Sequence, residues 1–241
     1  MEAVVMAAGE GSRLRPLTER YAKPVLPIDG RPVVVTLLHE LRAAGIERVT
    51  VVTGHLAEQV ERLLHGFPLE LRFVRQPEPL GSADAVRRAL VGLPVLVLAA
   101  DTVFTPGDVA RFAAVDGHAI AARRHPPPDP PHRYALGVED GRVTKVLDDD
   151  RSNPLASAPL WRLGQSFDPA LLDGLGGPPF ELAQVFQRLV EAGEPVHGVE
   201  IGPTRDLTHP LDCLEQNFPY LRSVCCKSRR AEPGETQQSW L

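Results

Sequence analysis

MEAVVMAAGEGSRLRPLTERYAKPVLPIDG, residues Met1–Gly30, is the stretch that decides the fold. An apolar run, Ala3–Ala7, opens straight into a loop containing Gly9 and Gly11. Arg13 comes two residues after the second glycine, and Lys23-Pro24 follows ten residues later. A buried strand that delivers bare backbone N–H groups beside two cations is suited to gripping a polyphosphate. Arg13 can bridge two oxygens through its planar fork, while Lys23 supplies a compact point charge. The dinucleotide fingerprint is excluded because Leu14 stands where its third glycine belongs. A Walker A loop is excluded because no Gly-Lys-Ser/Thr closes the segment.

Outward from this loop, the first half alternates between two periodicities. Arg48–Thr53, Leu69–Val74 and Pro94–Ala100 read as strands, and Pro32–Ala44, Leu56–Leu64 and Ser82–Val91 as helices. Val35, Leu38 and Leu41 are the apolar positions expected on the first helix. Such alternation predicts an α/β fold: a Rossmann-like, doubly wound, mixed but mainly parallel sheet with helices on both faces. Ligands of these sheets sit beyond the carboxyl ends of the strands. Ala8–Lys23, Gln76–Gly81 and Asp101 all occupy such positions, so three segments are expected to converge on one edge.

The second half predicts a helix over Gly107–Ala114, a strand over His118–Ala122 and a β-hairpin, Tyr134–Val138 with Arg142–Leu147, as a small acceptor-site subdomain. Further strands are expected at Leu160–Phe167 and Val196–Ile201, and helices at Phe180–Ala192 and Leu211–Leu221. His125–His132, HPPPDPPH, reads as a stiff surface loop. No hexapeptide repeat of the kind that builds a C-terminal β-helix is present. A single domain over residues 1–226 is expected, its nucleotide-binding part about 1–115 and its acceptor-binding part about 116–226. The polar tail, 227–241, is expected to be disordered.

The 241 residues, 43% hydrophobic and 24% charged, suit a globular domain with a full core. A net charge of -5 argues against general nucleic-acid binding. An anionic ligand must therefore be met by local cations. No apolar run is long enough to span a bilayer, and no basic leader opens the chain. Cys213, Cys225 and Cys226, odd in number, suit neither a disulfide framework nor a zinc site, so a reducing cytoplasm is expected.

The segments MAAGEGSRLRPLT and AKPVLPIDGRPVV resemble the sugar-1-phosphate nucleotidyltransferase family, and the likeness extends from about Ala3 to Asn217. The resemblance implies a Rossmann-like enzyme that joins a nucleoside triphosphate to a sugar 1-phosphate with Mg²⁺, releasing pyrophosphate. Arg13 and Lys23 fall on the family's catalytic cations. Ala7, Ala8, Gly9, Glu10, Gly11 and Ser12 fall on its phosphate- and nucleoside-binding loop. QPEPLGSADAVRRAL resembles the base-binding segment, which assigns Gln76, Pro79, Gly81 and Ser82 to the nucleotide. Its wording favours UTP or dTTP over GTP. Asp101, ending VLVLAAD, falls on a catalytic metal ligand, with Ala100 in place of the usual glycine. Asp206 in TRDLTHP matches the second metal aspartate. Thr204 there replaces the family's tryptophan, and Thr208-His209 its Gly-Thr.

The acceptor side departs further. Tyr134-Ala135-Leu136 stands for Tyr-Gly-Val, and Asp148-Asp149-Asp150 for Glu-Lys-Pro. Asp148 can replace the glutamate, but Asp149 reverses a charge beside the expected sugar phosphate. Thr102, Tyr134, Ala135, Asp148 and Trp161 are the acceptor-binding candidates. Three acids near Tyr134 and Trp161 also suit a cationic acceptor such as phosphocholine, the mark of a cytidylyltransferase. A non-catalytic nucleotide-binding homologue stays open as well, as does a homo-oligomer.

Overall fold

The computed structural model describes residues 1–90, 92–124, 135–148 and 154–222. Nine strands form the main sheet: β1 Glu2–Ala7, β2 Arg48–Thr53, β3 Glu70–Arg75, β4 Val95–Ala99, β5 His118–Arg123, β6 Ala135–Glu139, β7 Arg142–Asp148, β8 Ala156–Leu163 and β9 Val196–Ile201. Their spatial order is β3-β2-β1-β4-β8-β5-β9-β7-β6. The first four strands run parallel, with β1 between β2 and β4. β8 runs antiparallel between β4 and β5. β9 is parallel to β5, and the β6–β7 hairpin extends the same sheet through β9. Ala156 of β8 also pairs with Ala135 of β6, so the far end of the sheet curls back on itself.

Strand alternation divides the core into two layers. Ala3, Val5 and Ala7 of β1 pack with α1 (Val33–Ala43), α2 (Ala57–Leu64) and α4 (Asp108–Ala113). Val4 and Ala8 face the other way, toward α3 (Ser82–Ala89) and α5 (Leu182–Glu191). The mixed sheet with helices on both faces is therefore present as expected. The α5 stripe of Leu182, Val185, Phe186 and Leu189 is wholly buried. Truncating Phe186 to alanine is expected to cost about 3–5 kcal/mol. On α1 the inward face is Val34, Leu37, Leu38 and Leu41, whereas Val35 is only partly covered. No described helix is long and apolar enough to cross a membrane.

Two expected elements differ. β8 lies several residues earlier than Leu160–Phe167, because Gly164 leaves the strand. A Cβ on Gly164 would come within 2.7 Å of the Gly117 backbone, and its N–H donates to His118 Nδ1. The helix expected over Leu211–Leu221 is interrupted after α6 (Asp212–Glu215). There Asn217 turns inward, donates to the Pro27 and Cys213 carbonyls and accepts from the Gly30 N–H. That tether stitches residue 217 to the segment after the first loop at the expense of helical regularity.

Candidate active site

The carboxyl ends of β1, β3 and β4 lie on one edge and surround a cleft of about 450 Å³. Ala7, Ala8, Gly9, Arg13 and Lys23 line it from the first loop, Asp101 from the end of β4, and Gln76, Pro79, Gly81 and Ser82 from the segment after β3. An adjoining hollow of about 240 Å³ shares Gly9, Arg13, Lys23 and Asp101 and adds Gly11, Ser12 and Thr208. The first loop and the segment after β3 meet at Gly54, where a Cβ would fall 2.7 Å from the Ala8 carbonyl oxygen and 2.8 Å from that of Gln76. His55 N–H donates to the Ala8 carbonyl at 3.2 Å, and Gln76 N–H to that of Thr53 at 2.8 Å.

The first loop is braced rather than loose. Gly11 has φ +62°, and a Cβ there would press on Thr18 and Lys23. Thr18 Oγ1 donates to the Gly11 carbonyl, and the His55 ring meets the Thr18 carbonyl at 2.7 Å. Gln59 of α2 accepts from the Ala22 N–H and donates to the Arg20 carbonyl. Leu14 anchors the middle of the loop in a small buried cluster with Leu26, Ile28, Val33, Val103 and Leu207. Gly9 differs from Gly11, since nothing lies within 4 Å of a Cβ built on it. Its bare backbone faces open space in the cleft. Arg13 is exposed and makes no hydrogen bond or ion pair among the described residues. Glu10 is exposed and, among the described residues, reaches only Arg15, at 3.5 Å.

Lys23 Nζ donates to Asp101 Oδ2 in a short ion pair. Burial works to raise the Asp101 pKa, but the Lys23 charge and hydrogen bond, with help from the Asp101 backbone and Thr102, hold it below the usual carboxylate range. Asp206 sits on a short ribbon in which it pairs with Thr102, the residue after Asp101, and Arg205 pairs with Val103, but Asp206 lines neither hollow. Its Oδ2 accepts from Arg123 Nη1 at 2.9 Å, and Arg123 also donates to Thr204 Oγ1. Asp206 Oδ1 is buried without a hydrogen-bond partner. Asp101 Oδ1 has only Thr102 Oγ1, at 3.4 Å. Each aspartate thus keeps one weakly satisfied oxygen, a hard donor of the type that Mg²⁺ prefers. The residues fit a divalent cation in that respect, although Arg123 already holds the second oxygen of Asp206.

On the Gln76 side of the cleft, Gly81 has φ +106°, and a Cβ would sit 2.3 Å from the Phe180 carbonyl oxygen. Phe180 N–H donates to the Leu80 carbonyl, and Ala83 N–H to the Phe180 carbonyl. Ser82 Oγ is shared between Glu181 at 2.6 Å and the Leu182 N–H at 2.7 Å. Glu181 and Pro179 consequently line the cleft, a role that sequence reading missed. Glu181 also forms a capping box with Gln184 at the start of α5, a legible local signal.

Among the described acceptor candidates, Thr102, Ala135 and Trp161 do not line this cleft. Thr102 is 1% exposed and turned toward Asp101. Ala135 is buried on β6, opposite both Asp148 and Ala156. Trp161 is partly buried against the layer formed by α3 and α5, with its Nε1 unpartnered. Tyr134, Asp149, Asp150, the His125–His132 loop and the 227–241 tail lie outside the described residues. Arg123 was also missed, although its place at the end of a predicted strand was a usable signal.

Against known proteins, the family model described as "Nucleotidyl transferase" matches residues 2–134. The bifunctional protein GlmU of Methanococcus maripaludis is 27% identical over 239 residues, covering 94% of this chain and 56% of that protein. The CMP-5'-(3-aminopropyl)phosphonate synthase of Streptomyces rubellomurinus is 34% identical over 186 residues, 69% of this chain and 29% of that protein. The chain thus spans little more than half the length of the first and under a third of the second. Among solved structures, the inositol-1-phosphate CTP transferase from T. maritima superposes with a TM-score of 0.75 at 20% identity, covering 88% of this chain and 90% of that one. That likeness concerns the fold.

Proposed function

The chain belongs to the nucleotidyl transferase family, and from this premise we propose that it transfers a nucleoside monophosphate from a triphosphate, UTP or dTTP, to a sugar 1-phosphate. An oxygen of the acceptor phosphate forms a bond to the α-phosphorus, the α–β bridging bond breaks, and pyrophosphate leaves. The attacking phosphate is already ionised and needs no general base. Catalysis is then chiefly positioning and charge stabilisation. The observation that carries the reading is the single cleft in which Gly9, Arg13, Lys23 and Asp101 stand opposite Gln76 and Gly81.

Arg13, unpaired and facing the cleft, holds the departing pyrophosphate. Lys23 spans the α-phosphate and the incoming phosphate, and its contact with Asp101 sets its position before substrate arrives. Gly9 and its neighbours let backbone N–H groups approach the phosphates. Asp101 and Asp206 would hold Mg²⁺, which when bound neutralises charge on the reacting phosphates. The odd cysteine count fits a cytoplasmic enzyme.

A second reading has one specific support. The relative at 34% identity is named for a CMP-linked aminopropyl phosphonate, a cationic phospho-acceptor product. The acidic run Asp148–Asp150 suits such an acceptor. A grid of UTP, dTTP, CTP and GTP against sugar 1-phosphates and aminoalkyl phosphates or phosphonates, read as pyrophosphate, decides between them. Release with UTP or dTTP and a sugar 1-phosphate supports the first reading. Release confined to CTP with an amino acceptor replaces it with the second, and silence across the grid removes both.

A further inference from the structure

Gln76 is 4% exposed, and the hydrogen bonds around it leave little freedom. Its Nε2 donates to the Gly81 carbonyl at 3.1 Å and to Asp84 Oδ2 at 2.8 Å. Both of those partners are acceptors only, so the amide orientation is fixed by chemistry: the NH₂ group must face them. Both N–H bonds are thereby used. Asp84 is itself buried at 4% exposure and takes Arg88 Nε at 2.6 Å and Arg87 Nη2 at 3.2 Å. Burial works to raise the Asp84 pKa, but Arg88, Gln76 and Arg87 together hold it below the ordinary value, which keeps the carboxylate ionised and accepting. The remaining polar atom of Gln76, Oε1, makes no hydrogen bond among the described residues and is not sealed from solvent. Gln76 lines the cleft.

We propose that Asp84 is a positioning residue that converts Gln76 into an acceptor-only reader, so that Oε1 takes the N3–H of a uracil or thymine base. This rests on the UTP or dTTP reading above. N3–H is the sole ring donor of those bases, because O2 and O4 can only accept. Cytosine in the same pose turns the N3 lone pair toward Oε1 and is repelled. An amide free to flip would present a donor as readily as an acceptor and would separate the two pyrimidines poorly. Base choice is therefore set one residue behind the residue that reads the base. Arg87 and Arg88 hold the setting from the helix surface.

The test measures equilibrium binding of UTP, 3-methyl-UTP, CTP and inorganic tripolyphosphate to the full chain. Wild type is expected to bind UTP about ten- to a hundredfold more tightly than CTP or 3-methyl-UTP, as for a polar group left facing no partner. Asp84→Ala is expected to bring the UTP-to-CTP ratio close to one while tripolyphosphate affinity stays within about twofold. A general structural lesion would lower all the affinities and leave the ratio alone. If the variant fails to fold, the wild-type comparison of UTP with 3-methyl-UTP still decides the N3–H contact. UTP preference that survives in folded Asp84→Ala, or equal binding of 3-methyl-UTP, overturns the proposal and leaves the donor reading intact. Wild-type preference for CTP, or no triphosphate binding, overturns both.

Discussion

On the donor side of the molecule, Gly9, Arg13, Lys23, Gln76, Gly81 and Asp101 line one cleft. On the acceptor side, Thr102, Ala135 and Trp161 line none of the hollows described and lie in packed layers. The two regions are made differently. The donor side is loop backbone held in place by tight turns and buried polar ties, with a few side chains laid over it. The acceptor candidates that are described are side chains on buried strands or next to them. On the proposed function, phosphate recognition would depend on backbone shape, which few residue types permit, whereas acceptor recognition could vary with any strand-borne side chain.

The largest expected effects test the donor side. Lys23→Ala and Arg13→Ala should each lower pyrophosphate release by about 10²–10³-fold or more, in line with loss of a charge that stabilises a transition state. They should part in stability. Arg13 is exposed and has no partner among the described residues, so its variant should melt within about 0.5 kcal/mol of wild type. Lys23→Ala strands the Asp101 carboxylate and should melt lower. An Arg13→Ala enzyme turning over at the wild-type rate would remove that side of the comparison.

Metal dependence is the next largest. Excess EDTA should abolish turnover, and added Mg²⁺ should restore it. Asp101→Asn should raise the Mg²⁺ concentration needed for half-maximal rate, as read by titration. Turnover that is indifferent to chelation would assign both aspartates to structural pairing with Lys23 and Arg123.

Two glycines sharpen the donor side from within. Gly81→Ala places a methyl against the Phe180 carbonyl at a positive φ, and should cost about 1–3 kcal/mol of stability together with nucleotide affinity. Gly9→Ala meets nothing in the protein and should leave the melting temperature unchanged while weakening triphosphate binding. Equal melting losses in the two variants would contradict the open space assigned to Gly9.

Smaller effects concern the acceptor side and pH. Trp161→Phe keeps the packing and removes an unpartnered N–H; a severalfold rise in acceptor KM with an unchanged triphosphate KM would place Trp161 at the acceptor. The Asp101 carboxyl is depressed in the folded state, so the stability it contributes is fully present above its unfolded pKa, ~3.9. That contribution is lost as pH falls through the lower folded value. Urea midpoints measured from pH 6 downward should therefore fall less in Asp101→Asn than in wild type over that window.

The same contrast governs what could be read in the chain. Ala3–Ala7, Arg48–Thr53 and the Leu182–Leu189 stripe were legible because short continuous apolar or β-branched runs and a period-3.6 apolar stripe leave few alternatives. Gly9, Arg13, Lys23, Gln76 and Asp101 were legible because strand ends in a parallel sheet predict a shared edge. Arg123 and Asp84 were not singled out. Their importance comes from Asp206 and Gln76, residues 83 and 8 positions away. Polar contacts of that kind are fixed by register and by helix phase, neither of which composition reveals. The interrupted helix at Asn217 is similar: the asparagine reads as an ordinary polar residue until Pro27 and Gly30 are brought beside it.

Gly54 joins the first loop to the Gln76 segment, with only a hydrogen atom where any other residue would carry a carbon. On the proposed function, the two ends of a nucleotide would be gripped by a caliper whose jaws share this pivot. Its fixed gauge means that a longer or shorter molecule cannot be accommodated by sliding one jaw. A methyl group at residue 54 would spread the jaws without touching any ligand, and would be felt as an error in measuring length rather than as a lost contact.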